Sequence, residues 1–305
     1  MGWYADLRNQ VPGSNPDPWR AMNILSIQST VAYGHVGNSA AVFPLQRLGH
    51  EVWPVNTVQF SNHPAYGACR GHVSDTTEFA EIIRGVAEHG VLARCDAVLS
   101  GYLGDAALGE VVLDAVAEVR AANRRAIYCC DPVMGSIDRG FFVRPGIPEF
   151  FRERAVPKAD IVIPNAFELE YLSGRPAATL EDALAAADMV RGMGPSRVVV
   201  TGLRRAAADK EDTIAALAGG EGEAWAVETP YLEAPSNGAG DAFSALFLAH
   251  FLVSRETAEA LSRSVSAIYA IMAATREAGV SELQIVAAQD QIVRPNELFK
   301  AERLR

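Results

Sequence analysis

Ala97-Val98-Leu99-Ser100-Gly101-Tyr102-Leu103-Gly104 is followed by helical spacing from Leu108 to Ala122, and then by Ala126-Ile127-Tyr128-Cys129-Cys130-Asp131-Pro132-Val133-Met134-Gly135. Two apolar runs joined by a helix, each run ending in polar and glycine residues, are the pattern of a parallel strand pair with its crossover helix. The same alternation extends in both directions from this unit. Strands are expected over 24–27, 52–58, 161–163 and 198–200, and helices over 39–48, 77–88, 167–172 and 180–193. Beyond residue 210, segments 213–218 and 223–229 read as two further strands, antiparallel, before long helices near 241–253 and 257–276. The expected fold class is α/β, a three-layer sandwich with a mostly parallel central sheet and helices on both faces. Residues 22–305 are expected to form one domain. Residues 1–21 are polar and broken by Pro12, Gly13, Pro16 and Pro18, and are expected to be a disordered N-terminal extension.

Composition excludes several classes of partner. The chain has 305 residues and 49% hydrophobic content, enough for a large core. Its 27 basic and 37 acidic residues give a formal charge of -10, and no basic run is longer than a pair such as Arg204-Arg205. Nucleic acid and anionic membrane are therefore not expected partners. No apolar run approaches the ~20 residues of a membrane helix, and no signal-peptide core follows the first methionine. The four cysteines, Cys69, Cys95, Cys129 and Cys130, lack paired metal spacing, so a reduced, cytoplasmic protein is expected.

In open parallel sheets, ligands sit beyond the carboxyl ends of the strands. Those ends read Gln28-Ser29-Thr30, Gln59-Phe60-Ser61-Asn62-His63, Ser100-Gly101-Tyr102, Asp131-Pro132-Val133-Met134-Gly135, Pro164-Asn165-Ala166-Phe167-Glu168 and Thr201-Gly202. Asp131 and Glu168 each follow an apolar strand, where a buried carboxylate needs a partner; a hydrated Mg²⁺ on nucleotide phosphates would be one, and ordinary turns are the other reading. His63 reads as a substrate contact or a hydrogen-bonded loop histidine, and Tyr102 as a cover for a flat ligand or as core edge. Later in the chain, Ser236-Asn237-Gly238-Ala239-Gly240-Asp241 runs straight into the apolar helix 242–253. Gly238 and Gly240 let the backbone approach an anion at a helix N-terminus, and Asp241 stands there as a base for a substrate hydroxyl. A plain first-turn acid gives the same letters.

These segments resemble the pyridoxal kinases of the ribokinase superfamily, in the bacterial pyridoxamine kinase/pyridoxal kinase 2 branch, from Met22 to the C-terminal helices. The resemblance is carried by Ile27-Gln28-Ser29, Tyr33-Gly34-His35-Val36-Gly37-Asn38-Ser39, Val52-Trp53-Pro54-Val55-Asn56-Thr57-Val58-Gln59-Phe60-Ser61-Asn62-His63, Cys130-Asp131-Pro132-Val133-Met134-Gly135 and Val286-Ala287-Ala288-Gln289-Asp290. It implies a ribokinase-like fold and transfer of the ATP γ-phosphate to the 5′-hydroxymethyl group of pyridoxal, with pyridoxine and pyridoxamine as further acceptors. Asp241 would be the base, and Gly238, Ala239 and Gly240 would supply N–H groups to the transferring phosphoryl. Ser29, Val58, Phe60, His63, Pro64 and Tyr102 would surround the vitamer. Asp131, Asn165, Glu168, Thr201, Thr229, Pro230, Tyr231 and Leu232 would bind ATP, with Asp131 and Glu168 organising Mg²⁺ largely through water. The relatives are homodimers and commonly use K⁺, and the segment 52–60 is a candidate dimer edge.

The chain departs from that pattern at three positions. Pro64 stands where the family commonly has Thr, removing a hydroxyl from the vitamer site. Ser136 stands where many relatives carry an acid, and Ile163 where many carry Thr near the monovalent cation. Two other readings compete: a kinase for another hydroxymethyl heterocycle such as hydroxymethylpyrimidine, or for a sugar, and a non-catalytic pyridoxal-binding protein. An apolar, aromatic slot at Gln28-Ser29-Thr30 and Phe60 disfavours a sugar, and Asp241 beside a phosphate site disfavours a binder.

Overall fold

A computed structural model of the chain describes residues 21–205, 212–235 and 237–305. Residues 1–20 of the expected extension, and Ser236 of the glycine-rich run, lie outside the described residues. The strands are β1 (Asn23–Tyr33), β2 (Glu51–Asn62), β3 (Gly71–Val73), β4 (Ala97–Ser100), β5 (Ile127–Cys130), β6 (Gly135–Ser136), β7 (Gly140–Phe141), β8 (Ile161–Val162), β9 (Arg197–Arg205), β10 (Thr213–Gly219), β11 (Ala224–Pro230) and β12 (Glu302–Arg303). The helices are α1 (Asn38–Arg47), α2 (Thr76–Glu88), α3 (Ala106–Ala122), α4 (Ile147–Phe150), α5 (Ala166–Ser173), α6 (Leu180–Arg191), α7 (Ala239–Ser254), α8 (Thr257–Ala278) and α9 (Gln289–Val293).

The main sheet has ten strands in the order β12-β11-β10-β9-β8-β5-β4-β1-β2-β3. From β9 through β2 all neighbours are parallel, as the apolar runs predict; antiparallel pairs flank this block on both sides. Alternate side chains divide between two cores, as the strand repeat requires. Leu25, Val98, Tyr128, Val162 and Val198 meet α2, α3, α5 and α6 on one face. Ile24, Leu99, Cys129, Ile161 and Val199 meet α1, α7 and α8 on the other. Each fully buried side chain of this size contributes about 1.5–3 kcal/mol by leaving water. Cys129 and Cys130 point into opposite cores, and burial pushes the Cys130 thiol up to about 12, so neither is reactive.

Strands β1 and β2 run further than the expected 24–27 and 52–58, and the extra residues carry Ser29, Val31 and Phe60 out of the core toward the sheet's carboxyl edge. Their register shifts between Gln28 and Thr30. Beneath the shift, the Asn38 amide donates to the Val55 carbonyl at 3.1 Å and to Asn56 Oδ1 at 2.8 Å, and its Oδ1 accepts from Ser26 Oγ at 2.7 Å. The polar side chain is thus satisfied where it is buried. The expected dimer edge is partly covered, because β3 pairs with Val58, Gln59 and Phe60.

Helix starts differ between the two faces. Asp75, Asp105, Asn165 and Thr179 cap α2, α3, α5 and α6 with side-chain acceptors. By contrast α1 and α7 begin at Gly37 and Gly238, both at positive φ and without a capping side chain. No N-cap side chain therefore takes up the first N–H groups of either helix.

Candidate active site

A cavity of about 710 Å³ opens at the carboxyl ends of the parallel strands. Of the sequence-predicted residues, Ser29, Phe60, His63, Pro64, Tyr102, Asp131, Asn165, Glu168, Thr201, Thr229, Pro230, Tyr231, Leu232, Gly238, Ala239, Gly240 and Asp241 all line it. Val58 does not. It is wholly buried behind the wall, against the backbone of Gly104, because its position in β2 faces inward while Phe60 lies at the strand's outer end.

The cradle is built by two uncapped helix starts placed side by side. Gly238, at φ 86°, brings its backbone so close to the His35 carbonyl that any Cβ there would collide with it. Gly37 closes on the Ser29 carbonyl in the same way, so the 35–37 segment is clamped between β1 and the glycine-rich loop. The Gly37 N–H donates to the Asp241 carboxylate, which sits in the first turn of α7. Burial pushes Asp241 up to about 6, and the N–H groups of Gly37 and of Asp241 itself oppose that shift. Asp241 follows the helix start rather than preceding it as an ordinary cap, so the N–H groups ahead of it at Gly238, Ala239 and Gly240 face the cavity's anion position.

Two more carboxylates share the floor. Asp131, 5% exposed, accepts from Ser244 Oγ at 2.7 Å; burial and the charges of Glu168 and Asp241 hold it well above the ordinary carboxylate range. Glu168, 3% exposed, is raised by burial and by Asp241, although it is well supplied with donors. Its Oε2 accepts the Asn165 N–H at 2.9 Å, and Oε1 accepts the N–H groups of Met134 and Gly135 at 2.9 and 3.4 Å. Asn165 and Glu168 form the capping box of α5, which binds the β5–β6 loop to that helix. Among the described residues no three His, Cys, Asp or Glu side chains could cage a metal ion. Two buried carboxylates, Asp131 and Glu168, with the half-buried Asp241 beside them, do suit a hard cation whose other ligands are water and phosphate oxygens.

The remaining lining divides into two lobes. Just past the end of β2, His63 accepts the Ala65 N–H through Nδ1 at 3.2 Å, capping the short turn that begins at Pro64. Burial and the nearby Arg139 charge both lower its pKa, so the ring is a neutral polar wall. Tyr102 is half-buried opposite. On the far side Thr229 to Leu232 join Ile214, Val265 and Met272 in an apolar lobe. Sequence reading missed Gly37, Ser244, Asn237 and Arg139. Ser244 was discoverable as the residue three past Asp241 on the same helix face; Gly37 and Arg139 reach the site only through the tertiary fold.

Comparisons with known proteins agree with this geometry. Residues 72–285 match the family described as phosphomethylpyrimidine kinase. A pyridoxal kinase of Rubrobacter xylanophilus is 59% identical over 283 residues, covering 93% of this chain and 98% of that protein. The chain belongs to the pyridoxal kinase family. A pyridoxal kinase of Deinococcus radiodurans is 50% identical over 293 residues, covering 94% of this chain and 98% of its own length. Among solved structures, the pyridoxal kinase of Leishmania donovani in complex with ADP and pyridoxamine has a TM-score of 0.86 at 31% identity, covering 93% of this chain and 99% of that one. The pyridoxal kinase of Trypanosoma brucei has a TM-score of 0.82 at 31% identity, covering 92% and 99%. The fold is therefore ribokinase-like, as the resemblance implies.

Proposed function

We propose that the chain phosphorylates the 5′-hydroxymethyl group of pyridoxal with ATP, releasing pyridoxal 5′-phosphate and ADP. The observation that carries this reading is Asp241 in the first turn of α7: a carboxylate held by the Gly37 N–H and by its own N–H, at a helix start that begins on Gly238 with no capping side chain. Asp241 takes the proton of the substrate hydroxyl as that oxygen attacks the γ-phosphorus, and the bond to the bridging oxygen of ADP breaks. The N–H groups of Gly238, Ala239 and Gly240 face the charge spread over the transferring phosphoryl, the larger source of acceleration in such sites. Ser29, Phe60, His63, Pro64 and Tyr102 surround the vitamer, while Asn165, Thr201 and Thr229–Leu232 lie along the nucleotide.

Asp131 and Glu168 would hold Mg²⁺ through its waters, and the ion would neutralise phosphate charge. Ser244 fixes the rotamer of Asp131, and the capping box fixes that of Glu168. K⁺ fits less well: Ile163 is 3% exposed and has no side-chain oxygen, so no step is assigned to the ion. We read residues 22–305 as one catalytic unit, a second copy as its partner, and the cytoplasm as its compartment, the last because all four cysteines are free thiols. No described helix is long and apolar enough to cross a membrane.

Steady-state ADP release with Mg-ATP and each of pyridoxal, pyridoxine, pyridoxamine and hydroxymethylpyrimidine tests the reading, with Asp241→Asn run beside the parent chain. Pyridoxal-dependent turnover that falls roughly 10²–10⁴-fold in the variant is expected. Turnover with hydroxymethylpyrimidine alone would transfer the assignment to that heterocycle. ATP binding without turnover on any acceptor would overturn it in favour of a binder.

A further inference from the structure

The cavity presents three carboxylates, Asp131, Glu168 and Asp241, to a co-substrate that is itself a polyanion. Among the described residues that line it, one side chain carries a permanent positive charge, Arg139. This residue comes from the turn joining β6 to β7, where its N–H donates to the Ser136 carbonyl at 3.2 Å. The side chain is exposed and makes no ion pair among the described residues. Its guanidinium lies over the Phe142 ring, 5.2 Å from the centroid, and Nη2 donates to Asn237 Oδ1 at 3.2 Å. Asn237 immediately precedes Gly238, the first residue of the cradle. A cation is thus delivered to the mouth of the anion site from a part of the chain distant in sequence.

The mounting is specific. Phe141 sets its edge against the rings of Phe167 and Tyr171, with centroids 5.0 and 5.2 Å away, which ties the base of the hairpin to α5. Any Cβ at Gly135 would strike Phe167, so the first strand of the hairpin is pressed onto the same helix. The tip projects over the cavity while its base stays fixed. A neutral amide oxygen is a weak holder for a guanidinium, because hydrogen bonds to a charged acceptor are roughly twice as strong and Arg matches phosphate in a bidentate fork.

We propose that Arg139 is a further catalytic residue: its guanidinium exchanges the Asn237 amide for γ-phosphoryl oxygens and stabilises their charge during transfer. No bond to Arg139 forms or breaks; the hydroxyl proton goes to Asp241 and the leaving oxygen remains with ADP. The proposal rests on the ATP-dependent transfer proposed above.

Arg139→Ala and Arg139→Lys separate the two. Because the side chain is exposed, both variants are expected to fold, and circular dichroism with a melting curve verifies this. With pyridoxal as acceptor, kcat for Arg139→Ala should fall roughly 10²–10³-fold, as for other preorganised donors to transition-state charge. Added guanidinium should restore part of it, and Lys, a point charge without the fork, should retain an intermediate rate. Affinities for Mg-ATP and Mg-ADP, measured by calorimetry without acceptor, should show the preference for ATP over ADP reduced in Arg139→Ala. An Ala variant within about threefold of the parent in kcat, or an unchanged ATP-to-ADP affinity ratio, overturns the role of Arg139. A parent that turns over no vitamer fails the reading of function instead, and the affinity ratio still decides whether the guanidinium reaches the γ-phosphate.

Discussion

At the residue scale, the chemistry turns on a carboxylate held at a cost. Burial raises Asp241 to about 6, within reach of working pH, so its ionised form is a stronger base than an exposed aspartate. A general base acts deprotonated, so kcat/KM should be flat above pH about 6 and fall tenfold per unit below it; a pH–rate profile of the free enzyme checks this. The same shift acts on stability with the opposite sense. The folded chain holds this proton more tightly than the unfolded chain, so the group's contribution is complete below the ordinary aspartate pKa and is lost as pH rises through about 6. Asp241→Asn, whose amide oxygen still accepts the Gly37 N–H, should therefore melt higher than the parent at pH 8, and the gap should close by pH about 4. Melting curves of both proteins across that range, without ligand, measure it; a gap that does not change with pH would contradict the assigned cause. At this scale the sequence was informative where a residue stands next to its own partner, as Asp241 follows its glycines; Asn165 and Glu168 were expected as nucleotide and metal contacts, and their capping box emerged only in the fold. Arg139 and Gly37 carried no local sign, because each meets the site through residues about 100 and 200 positions away, Asn237 and Asp241 respectively.

At the element scale, the two glycine-started helices behave as one part. Gly238→Ala would force an αL-like backbone on a residue with a Cβ and drive that Cβ into the His35 carbonyl. The loop must shift, and with it the N–H groups offered to the phosphoryl. Activity should fall by at least about tenfold, more than a change of 1.4 kcal/mol in barrier, while a fold set by two large cores persists. Kinetics beside a melting curve separate the two effects. The long elements were legible because their apolar spacing is sustained: α2, α3, α6, α7 and α8 all fall close to where periodicity places them. The strands that escaped, β3, β6, β7 and β12, are two or three residues long and, like the short α4 and α9, hold too few side chains to show a period. The β6–β7 hairpin that carries Arg139 was among them.

At the scale of the whole molecule, the amino-acid pattern announced layers but left strand order open, since an apolar run does not name its neighbour. That order has a consequence for synthesis. The first strand, β1, lies inside the sheet between β4 and β2, and α7 and α8, near the end of the chain, cover one face of that sheet. A growing polypeptide therefore emerges with Ile24, Leu99, Cys129 and Ile161 facing water until the last quarter has left the ribosome, which makes completion late and leaves the nascent chain in need of protection from self-association. A chain stopped at residue 235 should collect in the insoluble fraction and bind hydrophobic dyes, whereas the same fragment supplied with 237–305 in trans should recover solubility; fractionation and dye fluorescence report both. Asp241 and the Gly238–Gly240 half of the cradle thus arrive with the very segment that seals the fold, and a ribosome that stalls earlier releases no half-active kinase, only a substrate for chaperones and proteases.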